Sequence, residues 1–168
     1  MSRVRLDRVS HTDRAELVRA NQENRTHHAP WVEPFTDDSG FDAWFAASLT
    51  GPHVRLLARA RDSERISGVV NLNEIIGGAF HSAYLGYYGM AWCAGSGMMT
   101  EAVRLAVALA FTELGLHRVE ANIQPDNLRS IALVRRIGFS KEGFSPRYLK
   151  IGGVWRDHER WARLADET

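Results

Sequence analysis

A glycine-rich turn joins an apolar strand to a long apolar helix near the middle of the 168-residue chain. The sequence predicts the strand over Tyr84–Met90, the turn at Ala94–Gly97 and the helix from Met98 to about Leu114. Glycines let a backbone approach an anion, and the first N–H groups of a helix, aided by the helix dipole, favour negative charge there. This order of elements predicts a site for a phosphate-bearing ligand.

Two common nucleotide motifs do not fit this turn. The chain has no Gly-x-x-x-x-Gly-Lys-Ser/Thr segment, which a P-loop NTPase needs to hold its phosphates. Gly95 and Gly97 lack the third glycine of a dinucleotide fingerprint, and no acidic residue follows at the end of a second strand. A diphosphate ligand such as coenzyme A remains, beside the plain alternative that the glycines form only a turn.

Further motifs accompany the turn in a fixed order. They are Phe80-His81, Tyr84-Leu85-Gly86-Tyr87, Gly95-Ser96-Gly97-Met98-Met99-Thr100-Glu101-Ala102, His117-Arg118, Asn127, Ser130, Arg136-Ile137-Gly138-Phe139, Glu142-Gly143, Tyr148-Leu149 and Trp155-Arg156-Asp157-His158. In order and spacing, the segment from Arg65 to Arg163 resembles the GCN5-related (GNAT) acetyltransferases. Within them it is most similar to the RimJ/RimL type, which acetylate protein N-termini, and Pro30-Trp31 also fits.

The periodicity of the chain predicts a mixed sheet. Val54–Ala60 and Ile66–Asn73 flank a polar turn and predict a hairpin, and Phe139–Leu164 predicts two more strands around Gly152-Gly153. Arg118–Gln124 alternates polar and apolar residues, and the long helix before it implies that it lies parallel to the preceding strand. The fold class is therefore α+β. The resemblance implies the GNAT fold, a mostly antiparallel sheet with a splayed parallel strand pair and flanking helices.

The resemblance implies acetyl-CoA as the cosubstrate, with its pantetheine arm in the gap between the splayed strands. Backbone groups near Gly89, Met90 and Ala91 are then expected to hydrogen-bond the pantetheine and to polarise the thioester carbonyl. Ala94 stands where the family usually has glutamine or arginine, which removes one polar side chain from the loop. The other expected cofactor-binding residues are the pyrophosphate cradle of Gly95, Ser96, Gly97, Met98 and Met99, together with Asn127, Ser130 and Arg136.

Acetyl transfer to an amine requires a base for the amine and a proton donor for the leaving thiolate. Ser130, Asn122 and Tyr148 are the predicted catalytic residues, with Ser130 beside the thiolate, Asn122 holding a water and Tyr148 on the acceptor side. Val134 replaces the tyrosine that many members of the superfamily use as an acid. Arg147 replaces the acidic residue of RimL-like enzymes and has no basic lone pair.

Other residues are candidates for the surroundings of the cleft. The polar ones are Glu74, Glu120, His81 and Asn71, and the aromatic ones for the acceptor side are Trp31, Phe35 and Trp155. The segment His27–Phe35 carries two prolines and is predicted to be a loop. A protein α-amine has a pKa near ~8, against ~10.4 for lysine. The missing acidic base therefore favours an α-amine as the acceptor.

Length, composition and charge limit the kinds of protein that this chain can be. At 168 residues, 45% hydrophobic and 24% charged, the chain is expected to form a single domain over residues 1–168. A net charge of +1 predicts no nucleic-acid partner, and the apolar run Ala102–Phe111 is too short to span a membrane. The single cysteine, Cys93, and a charged N-terminal segment predict a cytoplasmic location. Adjacent His27 and His28 are not spaced to share a metal, so none is expected.

These observations and the resemblance predict an acetyl-CoA-dependent N-acetyltransferase. It is expected to act on a protein or peptide N-terminus by direct transfer in a ternary complex. Two alternatives stay open: the same chemistry on a small amine such as a polyamine or an antibiotic, and a coenzyme-A-binding module without catalysis. The oligomeric state also stays open, with a homodimer among the options.

Overall fold

The computed structural model describes residues 2–166. The strands are β1 Val4–Arg8, β2 Val54–Ala60, β3 Ile66–Ile76, β4 Ser82–Gly89, β5 Arg118–Ile123, β6 Ser140–Ile151 and β7 Val154–Leu164. The α-helices are α1 Arg14–Glu23, α2 Arg25–His28, α3 Asp38–Thr50, α4 Met98–Thr112 and α5 Leu128–Arg136. Over residues 2–166, every helix is too short or too polar to cross a membrane.

All of these strands join one sheet in the order β1-β2-β3-β4-β5-β7-β6. Neighbouring strands are antiparallel except β4 and β5, which are parallel. The long helix α4 forms the crossover between these two strands, as a parallel pair requires. The predicted fold class, a mostly antiparallel α+β sheet with one parallel pair, is confirmed.

The parallel pair separates before either strand ends. Ser82–Leu85 pairs with Arg118–Ala121, but β4 continues to Gly89 and β5 to Ile123 without further pairing between them. Beyond Leu85, β4 keeps its ladder with β3, while β5 keeps its ladder with β7. Because each strand follows a different neighbour, a gap opens between them. We call this the strand gap.

Side chains of β4 reach both faces of the sheet. Leu85 and Tyr87 pack in the cluster formed with α4 and α5, and Tyr88 packs in the cluster formed with α1 and α3. Successive side chains on a strand point to opposite faces, so the two adjacent tyrosines end up on opposite sides of the sheet. Both of them reach the strand gap.

The segment between α1 and α3 differs from the prediction at one point, the start of the loop predicted over His27–Phe35. Where a loop was predicted, α2 forms a single helical turn. The N–H of His28 donates to the carbonyl of Asn24 at 2.9 Å, and that of Ala29 to the carbonyl of Arg25 at 3.0 Å. Pro30, which has no N–H, then ends the turn. This turn brings His28 to the strand gap.

Candidate active site

A cavity of about 260 Å³ fills the strand gap. The segment around α2, the ends of β4 and β5, the start of α5 and one residue of β7 enclose it. It is lined by His27, His28, Trp31, Val32, Leu85, Gly86, Tyr87, Tyr88, Gly89, Ala121, Asn122, Ile123, Gln124, Asn127, Arg129, Ser130, Leu133 and His158. None of these lining residues is an aspartate or a glutamate, and Arg129 carries their one permanent charge.

A second hollow, of about 460 Å³, lies at the glycine turn. We call it the turn hollow. It shares His27, Arg129 and Leu133 with the cavity of the strand gap, so the two adjoin as parts of one cleft. Its other lining residues are Cys93, Ala94, Gly95, Gly97, Met99, Thr100, Ala132 and Arg136.

Two glycines with left-handed backbone angles shape the turn. Gly95 has a φ of +76°, and Gly97, at the start of α4, has a φ of +85°. A Cβ added at Gly95 would meet no atom within 4 Å, so the space in front of it is open. The hydroxyl of Ser96 donates to the carbonyl of Cys93 at 2.6 Å and accepts from the N–H of Met98 at 3.3 Å. The next N–H groups of α4 have no partner within the helix, and the positive end of its dipole lies there.

Arginines from α5 add positive charge to the turn hollow. Arg136 donates to the hydroxyl of Thr100 at 3.3 Å and so joins the end of α5 to the first turn of α4. Arg129 lines both the hollow and the gap. Arg135 lies over the ring of Trp161 instead, at 5.1 Å from its centroid. Free N–H groups and two guanidinium groups without a lining carboxylate form a donor set that fits a diphosphate.

The end of β4 differs in detail from the prediction for Gly89, Met90 and Ala91. The N–H of Met90 donates to the carbonyl of Ser67 at 2.9 Å, and the N–H of Ala91 donates to Oδ1 of Asn24 at 2.8 Å. Both donors are therefore engaged within the protein. The ring of His28 bonds to the carbonyl of Gly89 at 3.1 Å from the side of the gap. The N–H and C=O of one strand residue point the same way, so the N–H of Gly89 also faces the gap.

Ser130 forms a pair with a residue that the sequence did not single out. The hydroxyl groups of Ser130 and Tyr87 lie 2.5 Å apart, and Oδ1 of Asn127 accepts from the N–H of Ser130 at 3.2 Å. Burial raises the pKa of Tyr87 to about 12, and the hydrogen bond with Ser130 lowers it only in part. Val134 is fully buried in the core. A tyrosine hydroxyl thus reaches this site from β4 rather than from α5.

Five polar residues were considered for the acceptor side of the cleft: Asn71, Glu74, His81, Glu120 and Asn122. Of these, Asn122 lines the cavity, with its Oδ1 buried and without a hydrogen-bond partner. Glu120 lies where β4 and β5 are still paired, and it forms an ion pair with Arg118 at 2.7 Å. The remaining candidates, Glu74, His81 and Asn71, lie on β3 or the turn before β4 and are absent from the lining. They belong to the part of the sheet that stays closed.

Tyr148 is not among the residues that line the cavity, but it packs beside one that is. Its ring centroid lies 6.3 Å from that of His158. The preceding residue, Arg147, has a φ of +48°, and its N–H donates to Oδ1 of Asp157 at 2.7 Å. The register of β6 shifts between Ser145 and Leu149. The predicted place of Tyr148 on the acceptor side stays a prediction.

The aromatic residues predicted for the acceptor side also divide into those that line the cavity and those that do not. Trp31 lines the cavity. Phe35 packs against Phe41 and Trp44 in the core beside α1 and α3, with ring centroids at 5.6 and 5.1 Å. Trp155 is 58% exposed on the outer hairpin. Of the aromatic residues predicted for the acceptor side, only Trp31 is thus in position.

Two buried histidines line the cavity and were missed as site residues. His28 and His158 are each 3% exposed. Burial lowers the pKa of His28, although its hydrogen bond to Gly89 opposes the shift. His28 stands two residues before Pro30, and His158 ends the Trp155–His158 motif. These two motifs could have indicated the histidines as site residues, but no local sequence pattern shows the direction of a side chain.

Comparison with known proteins relates the chain to one family. Residues 3–140 match the family described as acetyltransferase (GNAT) domain. The probable N-acetyltransferase YjcK of Bacillus subtilis is 48% identical over 101 residues, 60% of this chain and 56% of that protein. The ribosomal protein uS5-alanine N-acetyltransferase of Escherichia coli is 44% identical over 98 residues, 58% of this chain and 50% of that protein. The chain thus spans about half the length of these curated relatives.

Solved structures agree on the fold. RimJ of Mycobacterium smegmatis in complex with CoA-disulfide superposes with a TM-score of 0.89 at 28% identity, covering 98% of this chain and 83% of that one. Spermidine N-acetyltransferase of Vibrio cholerae in complex with CoA and spermine superposes with a TM-score of 0.82 at 19% identity, covering 98% and 96%. At that identity the second likeness shows a shared fold only.

Proposed function

Because the chain belongs to the GNAT acetyltransferase family, we propose that it transfers an acetyl group from acetyl-CoA to the α-amine of a peptide or protein N-terminus. The observation that carries the proposal is the cavity of the strand gap. It brings an unpartnered amide oxygen and a hydroxyl pair together with no carboxylate in its lining.

The turn hollow supports the coenzyme half of this proposal. Its free N–H groups at the start of α4, with Arg129 and Arg136, form a cradle for a diphosphate. The hollow adjoins the strand gap, where a pantetheine arm would lie between β4 and β5. Ala94 provides no polar side chain, but the backbone donors do not depend on that position.

The chemistry of the strand gap supports the acceptor half. A polyamine carries several positive charges, and a site for it needs carboxylates to offset their desolvation. The lining of the gap offers neutral polar groups instead, among them the hydroxyl groups of Tyr87 and Ser130. An α-amine has a pKa near ~8, so a useful fraction is neutral at pH 7 and fits such a site.

Each part of the gap has a role in acetyl transfer. Bound acetyl-CoA supplies an acyl group activated as a thioester. The N–H of Gly89 faces the gap and can donate to an oxygen on which negative charge develops. Tyr87 stays protonated at neutral pH, and its hydroxyl can donate to Oγ of Ser130. When it does so, the proton of Ser130 is free for the departing sulfur.

Thiol release from acetyl-CoA tests the proposal across a panel of acceptors. The panel holds short peptides with free N-termini, the same peptides with blocked α-amines, spermidine and an aminoglycoside. We expect turnover on free peptides that is lost when the α-amine is blocked, and little turnover on spermidine. Turnover on spermidine alone would replace the proposed acceptor with a small amine.

A coenzyme-binding module without catalysis is the other candidate, and Ala94, Val134 and Arg147 are the departures from the family that favour it. Calorimetric binding of acetyl-CoA separates it from an enzyme. Tight binding with no thiol release on any acceptor would support the module and overturn the proposed transfer.

A further inference from the structure

His158 stands at the one wall of the strand gap that β7 provides. Its Nδ1 lies 2.9 Å from the carbonyl oxygen of Arg156. A carbonyl can only accept, so Nδ1 carries the hydrogen and donates it. In the neutral ring, Nε2 is then the atom with the lone pair.

This nitrogen keeps some accessible surface. Over residues 2–166, His158 Nε2 has no hydrogen-bond partner, and it is not among the buried polar atoms sealed from solvent. His158 as a whole is only 3% exposed, and it is a lining residue of the cavity. Because the residue borders the cavity, its accessible nitrogen can be reached from there.

His28 provides the opposite arrangement on the facing wall. Its Nε2 lies 3.1 Å from the carbonyl of Gly89, so Nε2 donates, and the lone pair falls on Nδ1. Nδ1 of His28 is sealed from solvent and has no partner. Burial lowers the pKa of His28, which disfavours proton uptake there. Of the two buried histidines, His158 alone presents a basic atom to a substrate.

We propose that His158 is the general base that takes the proton of the acceptor amine through Nε2. In the transfer, an N–C bond forms, the C–S bond breaks, and the proton lost by nitrogen goes to Nε2 of His158. The sulfur gains its proton from the Tyr87–Ser130 pair. After product leaves, the imidazolium gives its proton to water, and the pair takes up one proton from water, so that both groups return to their starting states. The role rests on the proposed function, since it assumes an amine in the strand gap.

Few charged groups surround this ring. The titratable and charged side chains that face it or share its cavity are Tyr148 on β6, Tyr87 and Tyr88 on β4, Arg129 on α5, and His27 and His28 around α2. No carboxylate lines the cavity, and Arg147 occupies the position that is acidic in RimL-like enzymes. An imidazole nitrogen therefore takes the place of a carboxylate as the basic atom of this site.

Two conservative variants test the role. His158→Asn keeps an amide that can donate to the Arg156 carbonyl but withdraws the atom facing the cavity. His158→Gln keeps a polar atom near the Nε2 position, but an amide is not basic. We expect both to bind acetyl-CoA as the wild type does and to lower kcat with a peptide by roughly 100-fold, the lower range for general base catalysis. His117→Gln, at an exposed position, controls for the loss of a histidine.

The pH profile separates a base from a structural residue. The wild type should show an acid limb in kcat/KM that stays in place when peptides with different α-amine pKa values are compared. The limb should vanish in His158→Gln. Wild-type kcat in both variants, or loss of acetyl-CoA binding together with turnover, would overturn the role. If the wild type accepts spermidine but no peptide, the proposed function fails, and the same variants on spermidine still decide the role of His158.

Discussion

The turn hollow and the strand gap adjoin, but they are built in different ways. In the hollow, the backbone N–H groups come from one segment, Ala94–Thr100, and two positive φ angles set the shape of that segment. The gap depends on side chains from separate elements, among them His28, Tyr87, Ser130 and His158. Where backbone groups bind the ligand, affinity should tolerate a changed side chain such as Ala94 but should fall when a negative charge is added. Where side chains form the site, each substitution should change activity according to the role of that residue.

The largest effect is expected from a charge in the turn hollow. Gly95→Asp places a carboxylate where the diphosphate is proposed to bind, and the repulsion at about 5 Å is about 3 kcal/mol at an effective dielectric constant of 20. The affinity for acetyl-CoA should fall by about 100-fold, measured by calorimetry.

Gly78→Asp is the matched control. Gly78 has a φ of +64°, close to the +76° of Gly95, and a Cβ at either glycine meets nothing within 4 Å. Backbone strain and added charge are thus alike in the two variants, and only their distance from the hollow differs. Equal losses of acetyl-CoA affinity in both would contradict the assignment of the hollow.

The next effect concerns the hydroxyl pair in the gap. Ser130→Ala should lower kcat by roughly 30-fold and leave acetyl-CoA affinity within a few-fold, since a hydrogen bond to a charged group contributes about 1.5–3 kcal/mol. Tyr87→Phe should have a smaller effect. The double variant should be no slower than Ser130→Ala, because Tyr87 acts through the serine. Additive losses in this cycle would mean that the two hydroxyls act separately.

A third prediction uses the pH dependence of stability. Burial holds the pKa of His28 below its unfolded value of about 6.5. Its contribution is therefore complete above that pH and is lost as pH falls through the folded pKa, because the unfolded chain takes up the proton first. Between pH 7 and 5.5, the free energy of unfolding in urea should fall more in the wild type than in His28→Gln. Parallel pH dependences would show that His28 is protonated as readily when folded.

The smallest effect should come from the aromatic wall of the gap. Trp31→Ala removes a lining side chain and should raise the KM for a peptide by about fivefold, roughly 1 kcal/mol, without changing the affinity for acetyl-CoA. Trp155→Ala, at a 58% exposed position outside the cavity, should change neither quantity. A larger effect at Trp155 would place the acceptor along the outer hairpin instead.

The two regions also differ in how far the sequence predicted them. The strand, turn and helix around Gly95 and Gly97 were predicted from local residue types, because a turn with positive φ angles and a helix start are local events. The splayed pair and the resemblance to GNAT acetyltransferases were likewise predicted, and both are confirmed. Glu120 was predicted near the cleft, but it lies where β4 and β5 are still paired, and it forms an ion pair with Arg118.

The sequence by itself determined the order of elements, the backbone turn and the family. Periodicity, glycine positions and motif spacing carry that information along the chain. Only the tertiary structure decided which nitrogen of His28 and of His158 forms a hydrogen bond, and that Tyr87 reaches Ser130. Each of these depends on a partner far away along the chain or on the separation of β4 from β5. No local pattern encodes such contacts, because they arise only when the sheet brings distant segments together.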